Sequence, residues 1–349
     1  MSKIIFVVDD SDTNLALAED ALEKQYRVMT MPSAVKMFSL LERITPDLIL
    51  LDIEMPGIDG FAALQRLKAH PTHADIPVIF LTGMTNAAVE AYGFELGVVD
   101  FIAKPFSVPV LQNRIKTHLG IDALIRTRTA QLRRLQNGIV HVLADTIEKR
   151  DSGTGGHIER TTGYIRSLVD TMLARGVYAD ELRDWDMDVI VASARLHDVG
   201  KIIIPDGILN KPGPLTPEEF EIMKTHTVEG ERIIDQMITR TGEGEFLRNA
   251  KLFAGYHHEY WDGMGYPYGL KAADIPLQGR VMAVVDVYDA LVSVRPYKEA
   301  LTNKEALSII ASDAGKRFDP KIVEVFRRTM EEQPGAGMAR WGDAYRLSA

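Results

Sequence analysis

The chain has 349 residues, an apolar fraction of 46% and a formal net charge of −9. This length suffices for two domains with separate cores, and the negative charge argues against DNA binding, because no basic excess is available to neutralise phosphates. The absence of cysteine excludes disulfides and thiolate metal ligands. No signal-peptide pattern opens the sequence, and no apolar run approaches the roughly 20 residues of a membrane helix. We therefore expect a cytoplasmic protein that does not insert into membranes.

Apolar runs alternate with helical patterns along the first 119 residues. The predicted strands are 4–8, 26–30, 48–51, 78–81 and 101–102, and the predicted helices are 14–24, 34–43, 61–69, 87–96 and a last one from residue 108. Continuous apolar strands suit a parallel sheet that is buried on both faces. Five such repeats predict a doubly wound α/β domain over residues 1–119.

Polar and charged residues lie where these predicted strands end, at Asp9, Asp10, Asp52, Thr82 and Lys104. The carboxyl ends of parallel strands meet at one edge of a sheet. Three carboxylates at one edge repel each other unless a divalent cation joins them, and an oxygen-only site suits Mg²⁺. Asp52 can then accept a phosphoryl group, which Thr82 and Lys104 would bind. The alternative interpretation is that these residues are solvated turn residues.

These positions, with Met55-Pro56-Gly57 and Lys104-Pro105-Phe106, resemble the receiver domains of two-component response regulators. The resemblance implies a flavodoxin-like fold, Asp52 as the phosphoacceptor, a bound Mg²⁺ and a cognate histidine kinase as partner. Phe101 occupies the position of the family's aromatic switch residue, which is often tyrosine. A phenylalanine there keeps the packing and loses the hydroxyl.

A long helical pattern connects the first domain to the rest of the chain. In the segment 108–150, Pro109 stands at the start and Gly138 in the middle, and apolar residues recur near three- and four-residue spacing at Ile121, Ile125, Leu132, Leu135, Ile139 and Val142. We expect residues 120–137 to form a helical linker that pairs with a second copy as a short coiled coil, giving a homodimer. Arg128 and Gly138 weaken that seam. The alternative is one amphipathic helix packed on the second domain.

Residues 138–332 carry mainly helical patterns, and residues 333–349 are expected to form a tail. Five of the nine histidines lie between residues 157 and 258, and the candidate metal ligands are His157, His197, Asp198, His226, His257, His258 and Asp286. Nitrogen and oxygen ligands without sulfur suit Fe, Mn, Ni or Zn. Seven ligands exceed the need of one metal, so we predict two divalent metals that Asp198 bridges. The alternative is that all these residues are structural.

The division that we favour gives one metal His157, His197, Asp198 and Asp286, and gives the other metal Asp198, His226, His257 and His258. Two metals a few ångströms apart generate a hydroxide and hold a phosphodiester.

The second domain resembles the HD-GYP family. The matching segments are His197-Asp198 with Gly200-Lys201, His226, His257-His258-Glu259, Trp261-Asp262-Gly263, Gly265-Tyr266-Pro267, Arg295-Pro296-Tyr297 and Phe318-Asp319-Pro320. The resemblance covers about residues 138–332. It implies an all-α HD-superfamily fold, the same seven ligand positions, and hydrolysis of cyclic di-GMP to pGpG by a metal-bound hydroxide.

Further residues are assigned to catalysis and to substrate binding. Lys201 is expected to steady the scissile phosphate or to assist the leaving oxygen. Asp289, three residues after Asp286 on the same helix face, is expected to orient Lys201; for both residues the alternative is a plain ion pair. Arg295 and Lys298 are assigned to the second phosphate, and the loop with Tyr266 and Pro267 to the substrate wall.

Together the two resemblances predict a phosphorylation-controlled response regulator whose output is a metal-dependent cyclic-di-GMP phosphodiesterase. The alternatives are hydrolysis of another cyclic dinucleotide, such as cyclic GMP-AMP, and a non-catalytic sensor or adaptor. Some HD-GYP proteins hold a third metal through a glutamate four residues before the first histidine ligand. Gly153 stands there in this chain, so we expect two metals and accumulation of pGpG before any GMP.

Overall fold

The computed structural model describes residues 2–83, 86–151, 156–294 and 299–332. The chain divides into two compact units, Met1–Arg133 and Arg134–Ala349. Four features singled out in the sequence lie outside the described residues: Gly153, the segment Arg295-Pro296-Tyr297, Lys298 and the expected tail 333–349. In the part of the chain that the structure describes, no helix combines the length and the apolar character needed to cross a membrane.

The first unit contains a five-stranded parallel sheet in the order β2-β1-β3-β4-β5. Its elements are β1 Ile4–Val8, α1 Asp12–Leu22, β2 Arg27–Met31, α2 Ala34–Leu41, β3 Leu48–Asp52, α3 Gly60–Lys68, β4 Val78–Thr82, α4 Ala87–Glu95, β5 Asp100–Ala103 and the start of α5, Val108–Arg150. This strand order is that of the flavodoxin-like fold, so the predicted fold of the first domain is confirmed.

The strands are apolar on both sides because both faces of the sheet carry helices. Phe6 and Val8 point to one core with Ile49 and Leu51. The alternate residues of the same strands, such as Ile5 and Val7, point to a second core that includes Leu111 and Ile115 of α5. Successive side chains of a strand alternate between faces, which explains why neither face leaves a polar pattern in the sequence.

Helix α5 continues without interruption for 43 residues. The apolar residues that suggested a seam are exposed along it, with Leu132 at 66% and Val142 at 63% of their accessible surface. Gly138 does not end the helix. The predicted linker 120–137 is therefore one stretch of a longer helix.

The second unit is helical. Its remaining elements are α6 His157–Ala174, α7 Ala179–Leu182, α8 Met187–Ala194, a 3₁₀ helix Val199–Ile203, α9 Asp206–Leu209, α10 Pro217–Lys224, α11 His226–Thr241, α12 Glu245–Tyr256, a 3₁₀ turn Ala272–Asp274, α13 Leu277–Val292, α14 Asn303–Ser312 and α15 Pro320–Glu332. The predicted all-α fold of this domain is confirmed.

The main core of the second unit is built on α13, whose buried side chains contact α6 and α15. The ring of Tyr288 lies edge-on to Tyr164 at 5.2 Å between centroids and to Phe326 at 5.0 Å. Such edge-to-face pairs each add roughly 0.5–1.5 kcal/mol beyond the burial of their area. Helix α13 is therefore held firmly, which matters because it also carries Asp286 and Asp289.

Candidate functional sites

The carboxyl edge of the sheet in the first unit brings the predicted polar residues together. Asp9 and Asp52 are buried, and Lys104 Nζ lies 2.7 Å from Asp9 Oδ2 and 2.7 Å from Asp52 Oδ1. Carboxylate oxygens of Asp9, Asp10 and Asp52 lie within 4.8 Å of one another. Thr82 ends β4 next to them and is also buried. An oxygen-only cluster of this kind fits Mg²⁺.

Electrostatics at this edge favour a neutralising cation. Burial raises the pKa of Asp52, and the charge of Asp9 adds to that effect while Lys104 opposes it. A divalent cation would lower the cost of holding two buried carboxylates together. Phe101 is buried on β5, where its ring lies 5.6 Å from Phe80 and 5.1 Å from Phe94.

In the second unit the candidate ligands lie at the ends of helices. His157 begins α6, His226 begins α11, and His257 and His258 directly follow α12. His197 and Asp198 form the turn between α8 and the first 3₁₀ helix, which Asp198 precedes as N-cap. Only Asp286 lies within a helix, α13. Helix ends allow side chains from several directions to reach one point.

The structure brings six of the seven ligands into two groups. Ligand atoms of His157, His197 and Asp198 lie within 4.8 Å of one another, and those of His226, His257 and His258 do so as well. Asp286 joins the first group, because its Oδ1 lies 3.5 Å from Nε2 of His157.

Asp198 lies between the two groups. Its Oδ2 is 3.3 Å from Nε2 of His197, while its Oδ1 is 3.5 Å from Nε2 of His226 and 3.7 Å from Nε2 of His257. Each carboxylate oxygen therefore faces one group of imidazoles. A carboxylate in this arrangement can bridge two cations.

The histidine tautomers follow from the contacts of the ring nitrogens. Nδ1 of His197, His226 and His257 lies 2.8–2.9 Å from the backbone carbonyls of Ala194, Met223 and Phe253, respectively. A carbonyl only accepts, so Nδ1 carries the proton in each ring and Nε2 offers its lone pair to the cluster. Fixing the second nitrogen in this way orients a metal-binding imidazole.

Charges in the cluster also fit divalent metals. Burial lowers the pKa of His257 to about 3, with His197 adding to the effect, and burial holds the pKa of His258 well below its usual value. Burial opposes ionisation of Asp198, yet Lys201 and His197 hold the pKa of Asp198 well below its usual range. Burial opposes a charge on His197, but Asp198 raises the pKa of that imidazole, so a metal would displace a proton there. The result would be neutral imidazoles around an ionised carboxylate, the donor set that Fe, Mn, Ni or Zn take.

Lys201 lies beside this cluster and contacts two carboxylates. Its Nζ is 2.8 Å from Asp198 Oδ2 and 2.6 Å from Asp151 Oδ2. Burial disfavours the charge, but Asp198 and Asp151 raise the pKa of Lys201 far above its usual value. The residue is therefore a cation next to the metal centre.

The prediction that Asp289 orients Lys201 is wrong. Asp289 accepts from Nδ1 of His157 at 2.8 Å and from Arg160, whose Nε lies at 2.6 Å. Although burial works against the charge of Asp289, these two hydrogen bonds hold its pKa below the usual value. Helix α13 packs on α6, which directs Asp289 towards the start of α6, and Asp151 pairs with Lys201 instead.

The loop after His258 forms one side of the cluster. The ring of Tyr266 lies 4.8 Å from that of His258, and the peptide between Tyr266 and Pro267 is cis. Glu259 is buried, and its carboxylate accepts from the backbone N–H groups of Tyr268 at 2.7 Å and Leu270 at 2.9 Å. These bonds fold the loop back towards the histidines.

Several residues at this site have no distinctive pattern in the sequence. A cavity of about 430 Å³ opens onto the cluster and is lined in part by Glu148, Asp151, Arg195 and Arg317. The Arg317 guanidinium lies 5.0 Å from the centre of the Tyr260 ring. No local spacing marks these residues, because each reaches the cavity from a different element.

Comparison with known proteins agrees with this architecture. A model of the HD domain matches residues 141–322, and a model of the response regulator receiver domain matches residues 5–116. A probable cyclic di-GMP phosphodiesterase of Vibrio cholerae is 40% identical over 344 residues, which span 94% of this chain and 78% of that protein. The cyclic di-GMP phosphodiesterase response regulator RpfG of Xanthomonas campestris is 35% identical over 341 residues, spanning 93% and 87%.

A third relative, the 3′3′-cGAMP-specific phosphodiesterase 2 of Vibrio cholerae, is 37% identical over 201 residues, which span 58% of this chain and 36% of that protein. Both resemblances inferred from the sequence are confirmed. The chain belongs to the response regulators that join an N-terminal receiver domain to a C-terminal HD domain of the HD-GYP type.

Proposed function

We propose that this protein hydrolyses cyclic di-GMP to pGpG under the control of receiver phosphorylation. The observation that carries the proposal is the position of Asp198, whose two oxygens face separate groups of imidazoles at 3.3–3.7 Å. The names of the relatives that span nearly the whole chain support cyclic di-GMP as the substrate.

The metal centre would consist of two divalent transition metals. His157, His197, Asp198 and Asp286 would hold one metal, and Asp198, His226, His257 and His258 the other. When bound, such metals lower the pKa of water to about 7 and neutralise charge on a phosphodiester.

Protein groups around the centre would bind and orient the substrate. Lys201 forms ion pairs with two carboxylates, and its charge would stabilise a developing negative charge on the scissile phosphate. Tyr266 lies over His258 and offers an aromatic wall to a guanine base. Glu259 fixes that wall through the backbone of the loop.

A count of two metals, and not three, is supported by the contacts of Glu148. This residue lines the cavity, but its Oε1 accepts from the N–H of His157 at 2.9 Å and its Oε2 faces the N–H of Ile158 at 3.4 Å. A carboxylate engaged at a helix start is not available as a ligand without losing those bonds. We therefore expect pGpG to accumulate before GMP.

In the receiver domain, Asp52 would accept a phosphoryl group from a histidine kinase, with Mg²⁺ held by Asp9, Asp10 and Asp52. Lys104 already contacts two of these carboxylates at 2.7 Å. A phosphoryl group on Asp52 would give Lys104 and Thr82 a new partner.

A homodimer through α5 completes the proposal. The side chains of Ile121, Ile125, Leu132, Leu135, Ile139 and Val142 are exposed on this helix, and a second copy would cover them. We place the domain limits at 1–119 for the receiver, 120–137 for the linker and 138–332 for the HD-GYP domain, followed by a tail at 333–349.

Hydrolysis of another cyclic dinucleotide is the second candidate, because the cGAMP-specific relative is 37% identical over the matched region. The test is to load the purified protein with Mn²⁺ or Fe²⁺ and to follow cyclic di-GMP and cyclic GMP-AMP separately by chromatography, with elemental analysis of the same sample. We expect two metals per chain, faster loss of cyclic di-GMP, and pGpG as the first product. Faster cleavage of cyclic GMP-AMP would favour the second candidate, and no cleavage of either by metal-loaded protein would favour a sensor or adaptor.

A further inference from the structure

The last turn of α5 lies between two segments that carry candidate metal ligands. Successive residues of an α-helix are rotated by about 100°, so Glu148 and Arg150 point to nearly opposite sides. Glu148 contacts the start of α6, which begins with His157. Arg150 contacts the 3₁₀ helix that follows Asp198.

Glu148 supplies the N-terminal cap that the sequence before α6 lacks. The residue at the N-cap position, Gly156, has no side chain and has a φ of 91°. The first N–H groups of a helix need partners, and a carboxylate there also stabilises the positive end of the helix dipole. Glu148 meets both needs, at 2.9 Å from the N–H of His157. It thereby fixes the backbone position of that ligand.

Arg150 holds the other segment by its carbonyls. Its guanidinium donates to the backbone oxygens of Lys201 at 3.0 Å, Ile202 at 2.9 Å and Ile204 at 2.7 Å. The last carbonyls of a helix lack a full set of partners within it, and the planar fork of arginine can reach several acceptors at once. An ion pair with the exposed Asp206 at 2.9 Å adds a fourth contact.

The same 3₁₀ helix is fixed from its other side by α11. A Cβ at Gly200 would lie 1.9 Å from the backbone oxygen of His226, so this segment and α11 approach as closely as glycine allows. With Arg150 on one side and α11 on the other, the segment has little freedom to move. Asp198 and Lys201, which lie at its start, take their positions from it.

We infer that Glu148 and Arg150 are positioning residues for the reaction proposed above, Glu148 acting through His157 and Arg150 through Asp198 and Lys201. The inference rests on the proposed function for its catalytic readout, but not for its metal-binding readout. Helix α5 begins at Val108 in the first unit. Its last turn lies in the second unit, as do the two segments that it contacts.

The test compares Glu148→Gln and Arg150→Gln with Lys149→Gln in the full-length protein. Lys149 belongs to the same turn, but it pairs with the exposed Asp145 at 2.7 Å, which makes it a matched control. Each protein is loaded with Mn²⁺ and challenged with a chelator, and metal loss, cyclic di-GMP turnover and thermal unfolding are measured. Substitution of residues that hold the direct ligands of a metal in place lowers metal affinity or enzyme activity by about 10- to 100-fold.

We expect the Glu148 and Arg150 variants to lose metal to the chelator at least about 10-fold more readily than the control, with a lower kcat and a smaller change in KM. Metal retention and kcat equal to those of Lys149→Gln, in variants that fold, would overturn the inference. If Arg150→Gln does not fold, Arg150→Lys replaces it, because one ammonium group cannot reach all four acceptors; control-like metal retention in that variant also counts against the inference. Wild-type protein that binds metal but cleaves no cyclic dinucleotide would refute the proposed function alone.

Discussion

Replacing Asp289 by asparagine should loosen the metal centre through His157. Asp289 is 1% exposed and accepts hydrogen bonds from His157 and Arg160. An asparagine keeps the shape but loses the charge, and its NH2 group cannot accept a hydrogen bond where one of the two carboxylate oxygens now does, Oδ2 from His157 and Arg160 or Oδ1 from Arg160. The imidazole of His157 then loses the charged partner that fixes its ring and its tautomer.

Two effects of different size follow from this change. Loss of the partner of a metal-binding imidazole lowers metal affinity by about 10- to 100-fold, which corresponds to about 1.4–2.7 kcal/mol. Loss of a hydrogen bond to a charged group in a buried setting lowers the free energy of unfolding by about 1.5–3 kcal/mol. Complete breakage of a buried ion pair costs more, but the side chain of Arg160 is 23% exposed and keeps access to water.

The matched control is Asp319→Asn, which separates the two effects. Asp319 is also buried, and it accepts from Tyr178 Oη at 2.7 Å and from Arg280 Nη1 at 3.1 Å. In the part of the chain that the structure describes, Asp319 has no hydrogen bond or ion pair with a candidate ligand. Both variants should unfold at lower denaturant concentration, and only Asp289→Asn should lose Mn²⁺ more readily in a chelator competition. Equal metal retention in the two variants would refute the role assigned to Asp289.

Three further predictions concern the bridge, the receiver and the response to pH. Asp198→Ala should abolish hydrolysis and release metal, and a variant that keeps both by assay and elemental analysis would contradict the bridge. Asp52→Asn should prevent labelling by a small phosphodonor while the metal content stays unchanged; a stable label on that variant would point to another acceptor. Burial, with the hydrogen bond to Asp319, raises the pKa of Tyr178 from 10.0 to about 12, so its stabilising effect is fully present below about pH 10 and is lost as the pH rises through about 12. The free energy of unfolding should therefore fall less steeply with alkaline pH in Tyr178→Phe than in the wild type, and parallel pH curves would contradict this.

The sheet domain was predictable from the sequence because its signals are local. Each strand is a continuous apolar run. The polar residues at the carboxyl edge of the sheet lie at the ends of these runs, as Asp9 follows β1 and Lys104 follows β5. The parallel arrangement then places strand ends side by side without further information.

The start of α6 shows where local signals fail. Gly156 at the N-cap position offers no side-chain cap, yet the helix begins at the next residue, His157. The missing cap comes from Glu148 of the preceding helix. A cap supplied from outside the local sequence leaves no pattern around the residues that it stabilises.

Asp289 shows a second kind of failure. Its spacing from Asp286 places both residues on one face of α13, and this spacing suggested a common role at Lys201. The structure separates them: Asp286 faces Nε2 of His157, and Asp289 faces Nδ1 of the same ring. A helical spacing identifies the shared face but not the partner across it, which depends on the packing of α13 against α6.

The four imidazole rings whose Nδ1 proton is held by a hydrogen bond differ in the group that accepts that proton. His197, His226 and His257 donate to carbonyls three or four residues upstream, so each ring is oriented by its own segment of chain. His157 donates to Asp289, 132 residues away, and its backbone N–H is held by Glu148 of α5. A movement of one helix against another would therefore displace His157 and leave the other three orientations intact. Among these four candidate ligands, His157 is thus the one whose orientation depends on residues distant in the sequence.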